Sequence, residues 1–208
     1  MKPHFEILPA EQREIYPYLK QIKNLGFTLF GGTALALQLG HRISVDFDFF
    51  TNKDISQLHS LLLNLEQIKV AEITQQTPNA LSYKNEKGVK FSFFGTIKFV
   101  ELTNKIQTDD GVLELADLNA LLITKLKATC DRAEYKDYKD IIHILKTRKI
   151  SLKQGLSGVK EFFGDQFPII NIAKGLTYFE DGDLYRLDNE EKRFLCEVVN
   201  NLNNGAYF

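Results

Sequence analysis

Cysteine is scarce in this chain of 208 residues, where Cys130 and Cys196 are the only two. They have neither metal-ligand spacing nor the density of a disulfide framework, so two buried free thiols without assigned chemistry are expected. Long apolar runs are missing too. No stretch approaches the roughly 20 residues that span a bilayer, and Met1 to Pro9 lacks the basic-then-apolar pattern of a signal peptide. That excludes those kinds of membrane contact and makes the cytoplasm the expected location. Nor is there an excess of either charge: 26 Lys and Arg stand against 27 Asp and Glu, a formal net charge of −1. A protein gripping a long phosphate backbone is usually basic overall, so any nucleic-acid contact must be local. The four histidines, His4, His41, His59 and His143, are scattered without ligand spacing. No serine sits in a nucleophile elbow, which removes the serine-hydrolase class.

What is present is a core's worth of apolar residues, 44% of the chain with 12% aromatic, enough for one domain or two small ones. Phe27 to Phe30 is β-like and runs into Gly31-Gly32. Thr33 to Leu39 then has strong helix formers until Gly40 stops it, giving strand, glycine turn and short helix. Glycines at such a turn let the backbone approach a bulky anion, and the new helix offers unpaired N–H groups to phosphate oxygens. Thr33 is placed to cap that helix or to touch a phosphate. The chain re-enters an extended segment from Ile43 to Phe50, where Ser44, Asp46 and Asp48 share one face and Val45, Phe47 and Phe49 the other. Parallel carboxylates repel unless a cation sits between them, which points to a hard ion such as Mg²⁺. Taken alone, such a pair is more often no more than solvent-facing acids on an edge strand.

Farther along, Pro9 to Leu25 reads as a first helix and Asn52 to Leu65 as another, capped by Asp54 with Leu58, Leu61, Leu62 and Leu65 inside. Ala71 to Thr74, Ala80 to Lys84, Val89 to Phe94 and Ile97 to Val100 read as strands, with 85 to 88 as a hairpin turn. After a joint at Asp109-Asp110-Gly111 the pattern turns helical. The expected organisation is therefore α+β: an α/β unit over 1–112 and a helical one over 113–208. Leu115 to Asp131 forms one helix, in which Lys125 lies seven residues before Arg132, and Lys136 to Lys146 the next. Two readings stand for this block: Lys125 and Arg132 point together at a polyanion, or Arg132 pairs with Asp137 or Asp140 and ties the helices together. Phe162, Phe163 and Phe167 look like core. Glu180 to Asp183 reads as a solvated turn, Asp188 and Glu191 as a capping box for a last helix burying Phe194, Leu195 and Val198, and Asn201 to Phe208 as a fraying end.

Gly31-Gly32-Thr33, Arg42, Ser44 and Asp46-x-Asp48 together resemble the signature of the DNA polymerase β-like nucleotidyltransferase superfamily. The whole run from Gly31 to Phe50 is similar to the AbiEii/AbiGii toxin-type nucleotidyltransferases, the toxin half of many type IV toxin–antitoxin pairs. Lys125, Ala128, Arg132, Lys136, Asp137 and Asp140 are similar to the downstream motif of that family. The resemblance covers roughly residues 25 to 145. It implies a mixed sheet flanked by helices, followed by a helical region that contributes to the site. It also implies transfer of a nucleoside monophosphate from an NTP to an acceptor hydroxyl, with RNA or tRNA as acceptor and a cognate antitoxin as partner. Asp46 and Asp48 are then the metal ligands for Mg²⁺ or Mn²⁺ and are catalytic, with Lys125 and Asp137 completing the catalytic set. Gly31, Gly32, Thr33, Arg42, Ser44 and Arg132 bind nucleotide and phosphate. One departure stands out: members of the superfamily usually bring a third carboxylate from a later strand, where this chain offers Ser92. A non-catalytic relative that binds nucleotide or a partner protein is the alternative that this departure implies.

Overall fold

In a computed structural model of the chain, which describes residues 1–65 and 67–203, a mixed sheet with helices precedes a helical region, and the chain divides into two units, Met1–Asp117 and Leu118–Phe208. The first unit contains α1 (Ala10–Ile15), α2 (Lys20–Asn24), β1 (Thr28–Phe30), α3 (Gly31–Leu39), β2 (Asp46–Phe50), α4 (Leu58–Leu62), β3 (Glu72–Thr77), β4 (Ala80–Lys84), β5 (Lys90–Phe94), β6 (Lys105–Gln107) and β7 (Glu114–Ala116). The strands lie in the order β3, β4, β5, β2, β1, β7, β6. β2 is parallel to β5 and antiparallel to β1, while β1 is parallel to β7.

The period of two in β2 and β5 explains the register. Phe47, Phe49, Phe91, Phe93 and, from β4, Tyr83 are fully buried, with Phe47 stacked on Phe91 at 5.6 Å and Phe49 on Phe93 at 5.4 Å between centroids. Each buried ring is worth about 3 kcal/mol against water. A one-residue slip would expose all of them and bury both aspartates, so the aromatic face fixes where Asp46 and Asp48 point.

Several elements differ from expectation for local reasons. The first helix is interrupted by a 3-10 turn at Tyr16–Leu19, where Pro17 has no N–H to give. The helix expected over 52–65 shrinks to α4 because Asp54 does not cap it. Its carboxylate instead accepts hydrogen bonds from the Ser56 backbone N–H and hydroxyl, closing a local turn. Leu58 and Leu62 are buried, but Leu61 is 50% exposed. Ile97 to Val100 is not a strand: Thr96 takes φ +57° and a 3-10 turn follows at Lys98–Glu101. The expected joint at 109–111 is the tight turn between β6 and β7, where Thr108 N–H donates to the Leu113 carbonyl. Leu115 is accordingly in a strand, and the sheet continues past residue 112.

The second unit contains α5 (Leu118–Ala128), α6 (Tyr135–Lys146), α7 (Leu152–Phe163), α8 (Ile169–Thr177) and α9 (Asn189–Asn203). α5 packs on α6 and α7. Its crossing with α7 is close because two glycines face it: a Cβ on Gly158 would stand 2.2 Å from Ile123 Cδ1, and one on Gly155 2.7 Å from Leu122 Cδ2. The capping box forms, with Glu191 N–H donating to Asp188 Oδ1 at 2.8 Å and Asp188 N–H to Glu191 Oε2 at 3.2 Å. α9 buries Leu195 and Val199, whereas Phe194 and Val198 are half-exposed. Phe162, Phe163 and Phe167 are half-buried rather than core. The acidic turn is structural, since Asp183 accepts from Tyr135 N–H and pairs with Arg186 at 2.9 Å. Both cysteines are free, but Cys130 is exposed and Cys196 half-exposed, which corrects their expected burial. The end expected to fray lies outside the described residues from 204 onward.

Candidate active site

The glycine turn is shaped around charged side chains. Gly31 takes φ +69°, in the left-handed region that glycine enters without cost, and it opens α3 directly after β1. A Cβ there would stand 2.4 Å from Asp48 Oδ2. At Gly32 a Cβ would meet Arg42 Nη2 at 2.3 Å and Ser44 Oγ at 3.2 Å. No side chain caps α3, whose N-cap is Phe30. The positive end of the helix therefore lies beside the Asp48 carboxylate, a favourable placement for negative charge. Arg42 donates to the Ile43 carbonyl at 3.0 Å.

Thr33 and Ser44 do something other than expected. Both are buried, their hydroxyl oxygens lie 2.9 Å apart, and Thr33 donates to the Asp46 carbonyl. They pin the first turn of α3 to the entry of β2, and Thr33 does not cap the helix. Asp46 and Asp48 are half-exposed on the face opposite Phe47 and Phe49. On the neighbouring strand Lys90 pairs with Asp46 and Ser92 with Asp48 in parallel register. The Ser92 hydroxyl in turn takes a hydrogen bond from Ser82 at 3.2 Å. Ser82 was not singled out from sequence, although the hairpin around 85–88 was signal enough to place it opposite Ser92.

No group of three or more His, Cys, Asp or Glu residues suited to a metal occurs among the described residues. Two adjacent carboxylates next to an open glycine turn nevertheless fit Mg²⁺, which commonly takes one or two protein carboxylates and completes its shell with water and phosphate oxygens.

The second block forms its own cluster within the helical unit. Lys125, buried on α5, holds Asp137 Oδ1 and Asp140 Oδ2, both at 2.7 Å. Both carboxylates are fully buried, and Arg132 Nε donates to Asp137 Oδ2 at 2.8 Å. Burial pushes the Asp137 carboxyl up, but Lys125 and then Arg132 outweigh it and hold the group below the usual carboxylate range. Of the two readings of this block, the pairing of Arg132 with Asp137 is realised. Lys125, expected to meet a phosphate, is engaged by two carboxylates.

The sheet order and the glycine turn before a same-face aspartate pair define the nucleotidyltransferase fold. Solved structures agree: the chain aligns with the polyadenylate synthase of Megavirus at TM-score 0.52 and 17% identity, covering 66% of this chain and 32% of that one. The chain thus spans about a third of the synthase. It aligns with an antigenic nucleotidyltransferase-like protein from Paracoccidioides brasiliensis at TM-score 0.50 and 16% identity, covering 79% and 93%. An uncharacterized protein of Aquifex aeolicus is 32% identical over 181 residues, 84% of each chain. Residues 16–163 match the family described as nucleotidyl transferase AbiEii toxin, type IV TA system. The chain belongs to this AbiEii nucleotidyltransferase family. No helix among its described residues is long and apolar enough to cross a membrane.

Proposed function

We propose that this protein is an active, metal-dependent nucleotidyltransferase that moves a nucleoside monophosphate from an NTP to the hydroxyl of an RNA acceptor such as a tRNA end, working in the cytoplasm as a toxin with a cognate antitoxin. The observation that carries this reading is the pair Asp46 and Asp48, held side by side on β2, with Asp48 lodged against Gly31 at the start of α3. In the reaction the acceptor hydroxyl gives its proton to solvent as its oxygen bonds to the α-phosphorus, the bond from that phosphorus to the bridging oxygen breaks, and pyrophosphate leaves with that oxygen. Asp46 and Asp48 would hold Mg²⁺, which supplies charge neutralisation on the phosphates when bound. Gly31 and Gly32 leave room for the Asp48 carboxylate and the Arg42 guanidinium to lie against the turn, beside the α3 backbone N–H groups that would meet phosphate oxygens. Arg42 adds a fixed cation at the same turn, suited to a pentavalent transition state whose charge spreads over its oxygens. In this reading Lys125, Arg132, Asp137 and Asp140 serve as scaffold, because their charges are met by one another.

The second reading, nucleotide binding without turnover, rests on Ser92, which occupies the position opposite Asp48 where a carboxylate would extend the site. One experiment separates the two. With each α-labelled NTP and Mg²⁺ or Mn²⁺, the native chain should label tRNA or total RNA. Asp46→Asn and Asp48→Asn should each lose on the order of 10³-fold in transfer, since several kcal/mol of charge stabilisation go with the cation. Nucleotide binding by the folded native chain with no transfer to any acceptor would establish the second reading instead.

A further inference from the structure

The helical unit has a concave surface of its own, lined by none of the residues assigned above to nucleotidyl transfer. From Ile141 to Lys160 the chain carries five lysines and arginines and no carboxylate, a local excess in a protein of net charge −1. The end of α6, the start of α7 and the last turns of α9 enclose a cleft of about 730 Å³. Its floor is apolar, with Leu145, Ile150, Phe194 and Val198. Lys146 and Arg148 stand exposed at its rim, and none of the described residues lining it is acidic. Lys146 Nζ lies 5.4 Å from the centre of the Phe194 ring. Arg148 takes φ +57°, a backbone conformation that favours glycine, so a cationic side chain is presented where the usual residue would have none.

The two halves of this surface ask for different things from one ligand. An apolar floor gains by exchanging water for apolar side chains, and a rim whose charged residues are Lys146, Arg148 and Lys153 selects carboxylates over ammonium groups. RNA would satisfy the rim but not the floor, because bases seek flat aromatic platforms and, among the described residues, Phe194 is the only aromatic one lining it. An amphipathic helix satisfies both, with apolar residues at i, i+3, i+4 and i+7 and acids flanking them. We propose that this cleft docks an acidic amphipathic helix of a partner protein, its apolar face on Phe194 and Val198 and its carboxylates on Lys146 and Arg148. The proposal stands apart from the chemistry at Asp46 and Asp48.

The test uses the full chain and a fluorescein-labelled helical peptide of about four turns, with leucines in that spacing and glutamates elsewhere, read by fluorescence anisotropy. Saturable binding in the micromolar range is expected. It should weaken by about tenfold or more in the double variant Lys146→Glu, Arg148→Glu and in Val198→Asp, and vanish for a peptide with lysines in place of the glutamates. Circular dichroism checks the fold of each variant, and the milder pair Lys146→Gln, Arg148→Gln replaces any that fails. Absence of saturable binding, or binding indifferent to these substitutions, overturns the proposal. So does binding of poly(U) RNA that the charge reversal abolishes while the peptide does not bind, which would assign the cleft to RNA. A concentration-dependent dimer in gel filtration that Val198→Asp dissolves would assign it to a second copy of this chain.

Discussion

Two of the protein's aspartate pairs are opposites. Asp46 and Asp48 sit two residues apart on a strand, half-exposed, beside a glycine turn and the positive end of a helix. Asp137 and Asp140 sit three apart on α6, fully buried, with Lys125 Nζ 2.7 Å from each. A carboxylate carried into the interior costs several kcal/mol unless a cation accompanies it, and the second pair brings its own cation from the protein. The first pair stays half-exposed beside the N-terminal turn of α3. Acidic residue type alone would rank the two pairs equally, whereas burial and ion-pair partners tell them apart.

Removing the internal cation tests the contrast most severely. Lys125→Met removes the cation that Asp137 and Asp140 share and leaves both carboxylates buried, and should cost about 3–5 kcal/mol of stability. Urea unfolding read by circular dichroism measures it, while Mg²⁺ affinity at the Asp46 and Asp48 pair, followed by calorimetry on the fraction still folded, stays as in the native chain. A loss of transfer activity in a Lys125→Met protein that keeps its full stability would reverse the assignment and make Lys125 a phosphate ligand.

The first pair was legible in the sequence because its determinants are local. Alternation of Asp with Phe fixes the strand and its faces, and Gly31 followed by helix formers fixes the turn. The second pair was half legible: spacing put Lys125, Arg132, Asp137 and Asp140 on neighbouring helices, but the burial of Lys125 depends on how α5 and α6 pack. The same limit hid β6 and β7, three residues each, too short to show a period of two. Misplaced elements trace to single residues whose chemistry overrode a wider pattern. Asp54 folds onto Ser56 and shortens a helix, and Thr96 at positive φ turns an apolar segment away from the sheet. Thr33 and Ser44 were correctly placed near the turn, yet their direction, toward each other and the Asp46 carbonyl, is a tertiary fact.

A smaller effect sharpens the comparison from the other side. Ser92 faces Asp48 across the parallel ladder and is nearly buried, so Ser92→Asp would place a third carboxylate beside the first pair with no internal cation for it. Like-charge repulsion should lower thermal stability without metal. Mg²⁺ should then restore more stability to the variant than it gives the native chain, with affinity tighter by about tenfold, about 1.4 kcal/mol. Equal stabilisation of both proteins by Mg²⁺ would mean that Asp48 and the residue at 92 share no cation, and that the neighbouring strand lies outside the site.

The smallest effect is one of pH, and its sign distinguishes the pairs. Asp137 has its carboxyl held below the usual range by Lys125 and Arg132 against the push of burial. A group depressed in the folded state contributes stability above its unfolded pKa of about 4 and loses it as pH falls through the folded value. The urea midpoint of the native chain should therefore decline as pH falls below about 4, and Asp137→Asn, though less stable at neutral pH, should decline less over the same range. Because the protons taken up belong to α6, saturating Mg²⁺ should raise the whole curve without removing this difference in slope. If Mg²⁺ instead abolished the difference, the ion would be reaching Asp137, and the separation of scaffold from site would fail at that residue.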